Sequence, residues 1–131
     1  MNPRDSKNHL DWLEKAEEDE LNALSILKHR DGTPSAACFL SQQVAEKHLK
    51  ALLVFNNIRF PKTHDLIRLQ TLLLNAVPDI TDYSNELDLL TTYYFETRYP
   101  GDYPEFSWSD AEEALDAARK IKNFVSEKLK S

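Results

Sequence analysis

Glycine and cysteine are both scarce in this chain of 131 residues, which contains two Gly and one Cys. With only Gly32 and Gly101, the sequence has no glycine-rich loop that could hold nucleotide phosphates through backbone N–H groups. A single cysteine excludes an internal disulfide framework, and the apolar neighbours of Cys38 predict a buried thiol, not a reactive one. This use of cysteine favours a reducing, cytoplasmic location.

Long apolar runs and clustered metal ligands are also missing. No stretch approaches the roughly 20 residues of a membrane span, and the polar start of the chain lacks the apolar core of a signal peptide. The four histidines form no His-x-x-x-His or Glu-x-x-His pair and are widely spread, at His9, His29, His48 and His64. We therefore expect no membrane association, no metal and no cofactor.

Acidic side chains outnumber basic ones by 22 to 16, and the formal net charge is -6. A surface of this sign argues against nucleic acid as a partner, although it leaves a local basic patch open. Acidic residues crowd the segment from Asp11 to Glu20. They indicate either a solvated face stabilised by a helix N-terminus or a docking surface for a basic partner.

The segment Ser35 to Phe55 has no Gly or Pro, and its apolar residues recur at helical spacing in two adjacent stripes. So wide an apolar arc predicts a central helix, buried by its neighbours. Its remaining polar strip must lie in water, in a cleft or against a partner, and consists of Gln42, Gln43, Glu46, Lys47 and Lys50. Glu46 and Lys50 form an i,i+4 pair in the favourable orientation.

Four further helices are predicted on the same grounds, at residues 10–28, 65–74, 82–97 and 110–129. The expected N-caps are Ser35 for the central helix, Thr63 or Asp65 for the short third helix, and Ser109 or Asp110 for the last. The sequence therefore predicts an all-α, up-and-down four-helix bundle with an additional short helix. We expect one domain over residues 1–131, with an ordered core at about 10–130.

Three small groups of residues could bind an anion. Thr63-His64-Asp65 lies at a helix start and could cap the helix or contact an anion there. Lys47 and Lys50 lie on the central helix, where the alternative is a solvated edge. Arg98 and Tyr99 follow the fourth helix, where the arginine could satisfy terminal carbonyls or bind phosphate beside a stacking tyrosine.

Taken in order, the motifs of this chain resemble the HEPN-domain family. The resemblance covers the chain from Trp12 to about Leu129, and the motifs that carry it are Trp12 to Asp19, Ala37 to Leu52, His64-Asp65-Leu66, Thr97-Arg98-Tyr99-Pro100 and Asp110 to Ala114. It implies an up-and-down helical bundle that is commonly a dimer. It also implies a two-component, toxin–antitoxin-like module in which a minimal nucleotidyltransferase is encoded beside or fused to the HEPN domain.

Other members of this family are metal-independent ribonucleases, whose active residues are an Arg, then a polar residue, and a His four to six positions after the Arg. Here Tyr99 follows Arg98, and no His lies in range. The catalytic pair is therefore missing at that place. Arg59 and His64 have a matching spacing across Pro61, which leaves a ribonuclease that uses them as an alternative.

These observations lead to one main hypothesis. The chain is interpreted as a non-catalytic HEPN protein, a cytoplasmic homodimer that binds a nucleotide or another anionic group and serves a nucleotidyltransferase. The wide apolar arc of the central helix motivates the dimer. The expected contacts to the ligand are Lys47, Lys50, His64, Asp65, Arg98 and Tyr99. A purely structural interaction module is a third possibility.

Overall fold

The computed structural model describes residues 8–94 and 105–130. They form five α-helices and one 3₁₀-helix: α1 His9–His29, α2 Pro34–Phe55, α3 Leu66–Leu73, the 3₁₀-helix Pro78–Tyr83, α4 Ser84–Thr91 and α5 Trp108–Leu129. There is no β-strand in these two ranges. The predicted all-α bundle is therefore confirmed. Among its described helices, none is both long and apolar enough to traverse a lipid bilayer.

The helix α2 lies at the centre, as its apolar pattern predicts. It contacts α1, α3, α4 and α5, and large apolar side chains along it, such as Val44, Leu49 and Leu53, are fully buried. Because α2 is enclosed by other helices of the same chain, its wide apolar arc is already covered without a second copy. That arc therefore no longer argues for a dimer.

The caps of α2 and α5 differ from the prediction. The hydroxyl of Thr33, not of Ser35, accepts from the backbone N–H of Ala36 at 3.1 Å, because Pro34 is well suited to the first helical position. At α5, the Ser107 hydroxyl accepts from the N–H of Asp110 at 3.0 Å, and the Asp110 carboxylate accepts from the N–H of Ser107 at 2.9 Å. This reciprocal pair is a capping box.

The position of this cap can be tested with two neighbouring serines. Replacing Ser107 by alanine is expected to lower the free energy of unfolding by about 1 kcal/mol, because an orphan N–H loses its acceptor. Replacing the exposed Ser109 by alanine should change it by less than about 0.5 kcal/mol. Urea denaturation of both variants measures the difference, and a larger loss in Ser109→Ala would place the cap where the sequence pattern put it.

The predicted fourth helix, residues 82–97, is shorter in the structure. Residues 82 and 83 belong to the 3₁₀-helix, and α4 ends at Thr91. The hydroxyls of Thr91 and Thr92 donate to the carbonyls of Leu87 and Leu89, both at 2.7 Å. Such side-chain hydrogen bonds compete with those of the helical backbone, and β-branched threonine has a low helix propensity. Both effects favour the end of α4 at Thr91. Residues 95–97 lie outside the described residues.

Candidate functional site

The polar strip of α2 is mostly buried, which corrects its interpretation as a solvated edge or as an anion-binding surface. Gln42 is fully enclosed, and Glu46 and Lys50 are only 2% and 3% exposed. The predicted pair between Glu46 and Lys50 is present, with 3.0 Å between Lys50 Nζ and Glu46 Oε2. It is, however, an interior ion pair. Interior charges require a partner for each hydrogen-bonding group, because a charge without one carries a large desolvation penalty.

Those partners come from α2 itself and from the segment before α3. Glu46 Oε1 lies 2.9 Å from His64 Nδ1 and accepts from Gln42 Nε2 at 3.2 Å. The same Gln42 nitrogen donates to the backbone carbonyl of His64 at 3.2 Å. Within residues 8–94 and 105–130, no buried side-chain nitrogen or oxygen is left without a hydrogen bond. Two consecutive turns of α2 thus hold both the backbone and the ring of His64.

Aromatic rings cover the ammonium group of Lys50. Its Nζ lies 5.3 Å from the ring centroid of Trp12 on α1 and 5.9 Å from that of Phe60. The two rings meet edge to face, with centroids 6.1 Å apart. Cation–π contacts and the Glu46 carboxylate together compensate the buried charge. Lys50 therefore has almost no exposed surface with which to meet a ligand.

His64 is the member of this network that reaches the surface, with 42% of its side chain exposed. Its ring stacks on Tyr94, with centroids 4.6 Å apart and planes at 22°, and Tyr94 in turn stacks on Phe39 at 6.0 Å. Glu46 holds Nδ1, while Nε2 has no hydrogen-bond partner among the described residues. The Nδ1 edge of the His64 imidazole is therefore held by Glu46, and its Nε2 edge is available to a ligand.

Asp65 and Lys47, two other predicted contacts, are engaged elsewhere. One Asp65 oxygen accepts from the N–H groups of Ile67 and Arg68 at 3.0 and 3.2 Å, so this residue, one of the two predicted candidates, is the N-cap of α3. Lys47 forms an ion pair with Asp19 of α1, and no contact joins it to His64 within the described part of the chain. Arg98 and Tyr99 lie outside the described residues.

A second charged cluster, which the sequence pattern did not predict, joins α1 to α5. Glu20 is almost fully buried and accepts from Arg119 Nε at 2.9 Å and from Lys122 Nζ at 2.7 Å. Burial by itself would raise the pKa of the Glu20 carboxyl, but the hydrogen bonds from Lys122 and Arg119 outweigh it and lower that pKa. Glu20 is therefore an anchor between helices and not part of an acidic docking face.

Two further titratable residues of α2 are inside the bundle. Burial raises the pKa of the Cys38 thiol to about 12, and the nearby Asp110 adds to this effect. The predicted burial of this thiol is thus confirmed, and a raised pKa disfavours the reactive thiolate. Burial also lowers the pKa of His48, whose Nδ1 lies 2.8 Å from the carbonyl of Val44.

No group of three His, Cys, Asp or Glu side chains suited to a metal occurs in residues 8–94 and 105–130.

The chain belongs to the HEPN family, since the HEPN domain model matches residues 9–129. An archaeal HEPN homologue of known crystal structure is 32% identical, with a TM-score of 0.74, over 94% of this chain and 98% of that one. A crystal structure from Thermus thermophilus is 33% identical, with a TM-score of 0.75, over 94% of this chain and 99% of that one. No protein with curated annotation matches the sequence.

Proposed function

We propose that this HEPN protein is a non-catalytic, nucleotide-binding subunit that acts with a minimal nucleotidyltransferase, and that His64 is the centre of its binding surface. The observation that carries this proposal is the exposed imidazole of His64, fixed by Glu46 on one side and by Tyr94 beneath it. Fixed rings with an accessible face and edge suit planar ligands, because they lose little conformational freedom on binding.

The structure changes which predicted residues support this proposal. Lys50 is enclosed, Lys47 is paired with Asp19, and a carboxylate oxygen of Asp65 caps α3. His64 is therefore the described residue among the six predicted contacts that best supports a ligand-binding role. Arg98 and Tyr99 remain proposed contacts on sequence grounds alone, since they follow the stacked Tyr94 along the chain.

Association with other proteins is supported by the family resemblance and by the surface of α1. Leu10 and Leu21 on this helix are 58% and 59% exposed, and Leu24 lies nearby on the same side. Exposed leucines on one helix face are suited to contact with another protein surface. We propose that this face serves the homodimer, and light scattering at micromolar concentration tests it, since a monomer there would contradict it.

Calorimetric titration with ATP and GTP tests the nucleotide site. If the wild-type protein binds either one, His64→Ala should raise the Kd at least about tenfold, which corresponds to about 1.4 kcal/mol, because it removes a stacking ring worth about 1–3 kcal/mol per base. His29→Ala is the matched control, since His29 is an exposed histidine at the end of α1. The absence of binding heat, or equal affinities of the two variants, would contradict a nucleotide site at His64.

Metal-independent RNA cleavage is a second candidate, and the contact between His64 and Glu46 favours it. A carboxylate that orients an exposed histidine is a recurring arrangement in general acid–base catalysis. Arg59 is exposed in the loop before α3 and could hold a phosphate. Incubation of the purified protein with RNA, in parallel with Arg59→Ala and His64→Ala variants, distinguishes this candidate from a non-catalytic subunit.

A further inference from the structure

The hydrogen bonds around His64 have a direction that can be worked out from the chemistry of each group. The backbone carbonyl of His64 can only accept, so the Gln42 atom that lies 3.2 Å from it must be the amide nitrogen. The oxygen of the same amide accepts from Gln43 Nε2 at 2.6 Å. The His64 carbonyl therefore fixes one orientation of the Gln42 amide, in which Nε2 also faces Glu46 Oε1.

The same reasoning applies to Glu46. Its Oε2 accepts from Lys50 Nζ at 3.0 Å, and an ammonium group has no acceptor. Its Oε1 accepts from the Gln42 amide nitrogen. Since both oxygens face groups that only donate, the Glu46 side chain is an acceptor on both sides. The hydrogen bond at 2.9 Å to His64 must then run from Nδ1–H of the imidazole to the carboxylate.

We infer that Glu46 is a positioning residue that selects the Nδ1–H tautomer of the His64 imidazole, so that an unprotonated Nε2 faces the ligand and accepts a hydrogen bond from it. This inference rests on the proposed nucleotide site and names the group that His64 meets there. That group is an uncharged hydrogen-bond donor, either a ribose hydroxyl or an exocyclic base amine. A deprotonated phosphate oxygen has no proton to donate and does not fit an Nε2 that can only accept.

The ring is also prevented from turning over. A rotation of the imidazole by 180° would place a carbon atom against Glu46 Oε1 and remove a charge-assisted hydrogen bond from a carboxylate that is 2% exposed. Tyr94 stacks on the ring and restricts tilting away from Glu46. The buried network therefore fixes the plane, the rotamer and the tautomer of His64 together.

Nitrogen-15 NMR of the ligand-free, wild-type protein tests this inference directly. At pH 8 we expect His64 to show a protonated Nδ1 and an unprotonated Nε2, and a ring that carries a proton on both nitrogens would contradict this expectation. His48 is an internal reference for this tautomer, because its Nδ1 faces the Val44 carbonyl, which can only accept. Detection of the Nε2–H tautomer at His64 would overturn the inference, whatever the protein binds.

A Glu46→Gln variant tests whether Glu46 is the cause. In this variant we expect His64 to lose its exclusive Nδ1–H form while His48, whose acceptor is the backbone, keeps its own. A merely structural role of Glu46 would leave the tautomer of His64 unchanged, and this result would overturn the positioning role. If the variant does not fold, the wild-type spectrum still decides the tautomer.

Four probes added to the wild-type protein at pH 8 test the class of ligand group: adenosine, 2′-deoxyadenosine, inosine and inorganic sulfate, a tetrahedral oxyanion that carries no proton at this pH. We expect adenosine to shift the His64 signals and sulfate to leave them unchanged. Loss of the shift with 2′-deoxyadenosine assigns the donor to the ribose 2′-hydroxyl, and loss with inosine assigns it to the base amine. Shifts with sulfate but not with adenosine would overturn the inference.

The same spectra separate the inference from the proposed function. If none of the probes shifts His64 while the ring is in its Nδ1–H form, the nucleotide site is contradicted and the positioning role of Glu46 stands. If adenosine binds while His64 is the Nε2–H tautomer, the nucleotide site stands and the positioning role is overturned.

Discussion

Replacement of Glu46 by alanine is expected to lower the free energy of unfolding by about 3–5 kcal/mol, the usual cost of removing one partner from a buried ion pair. The reason is that Lys50 would keep its place between Trp12 and Phe60 without the carboxylate that compensates its charge. The Gln42 amide and the His64 ring would lose an acceptor at the same time. Denaturation in urea, followed by circular dichroism, measures the loss.

Two further variants make this result specific. Glu17→Ala removes the same charge from an exposed position on α1 and should change the stability by less than about 0.5 kcal/mol. The double variant Glu46→Met, Lys50→Met should be more stable than Glu46→Ala, because replacement of a buried ion pair by apolar residues is often neutral or stabilising. Equal stabilities of the Glu46→Ala and Glu17→Ala variants would contradict the burial of this pair.

The second large effect is expected in the apolar core. Leu49 of α2 is fully buried in the main cluster of core side chains. Its replacement by alanine should lower the free energy of unfolding by about 2–5 kcal/mol, because it removes apolar contacts and leaves a cavity that the neighbouring helices fill only in part. Thermal unfolding of the variant should show a correspondingly lower midpoint.

Leu21→Ala is the matched control, because the same atoms are removed from a side chain that is 59% exposed. We expect a change of less than about 0.5 kcal/mol for a monomeric protein. A similar loss in both variants, measured at a concentration where light scattering shows a monomer, would contradict the central position of α2. A loss in Leu21→Ala that grows with protein concentration would instead indicate that this face of α1 is buried by a second copy.

The amino-acid sequence by itself determined the class of fold, the central helix and one of the caps. The apolar spacing in residues 35–55 is that of a helix buried on a wide arc, and the order of motifs identified the family, since both are properties of the chain read in one dimension. Asp65 could be predicted as one of two candidate N-caps of α3, because capping depends on residues only two or three positions away.

Only the tertiary structure decided what the polar residues do. Periodicity shows that Glu46 and Lys50 share one side of a helix, but not that Trp12 and Phe60 enclose them or that His64 reaches Glu46 across a loop. Those contacts depend on how separate segments of the chain fold back onto α2, and the spacing of residues within one segment carries no information about this. The same physical reason explains why a strip that reads as a solvated edge is an interior network with one exposed member, His64.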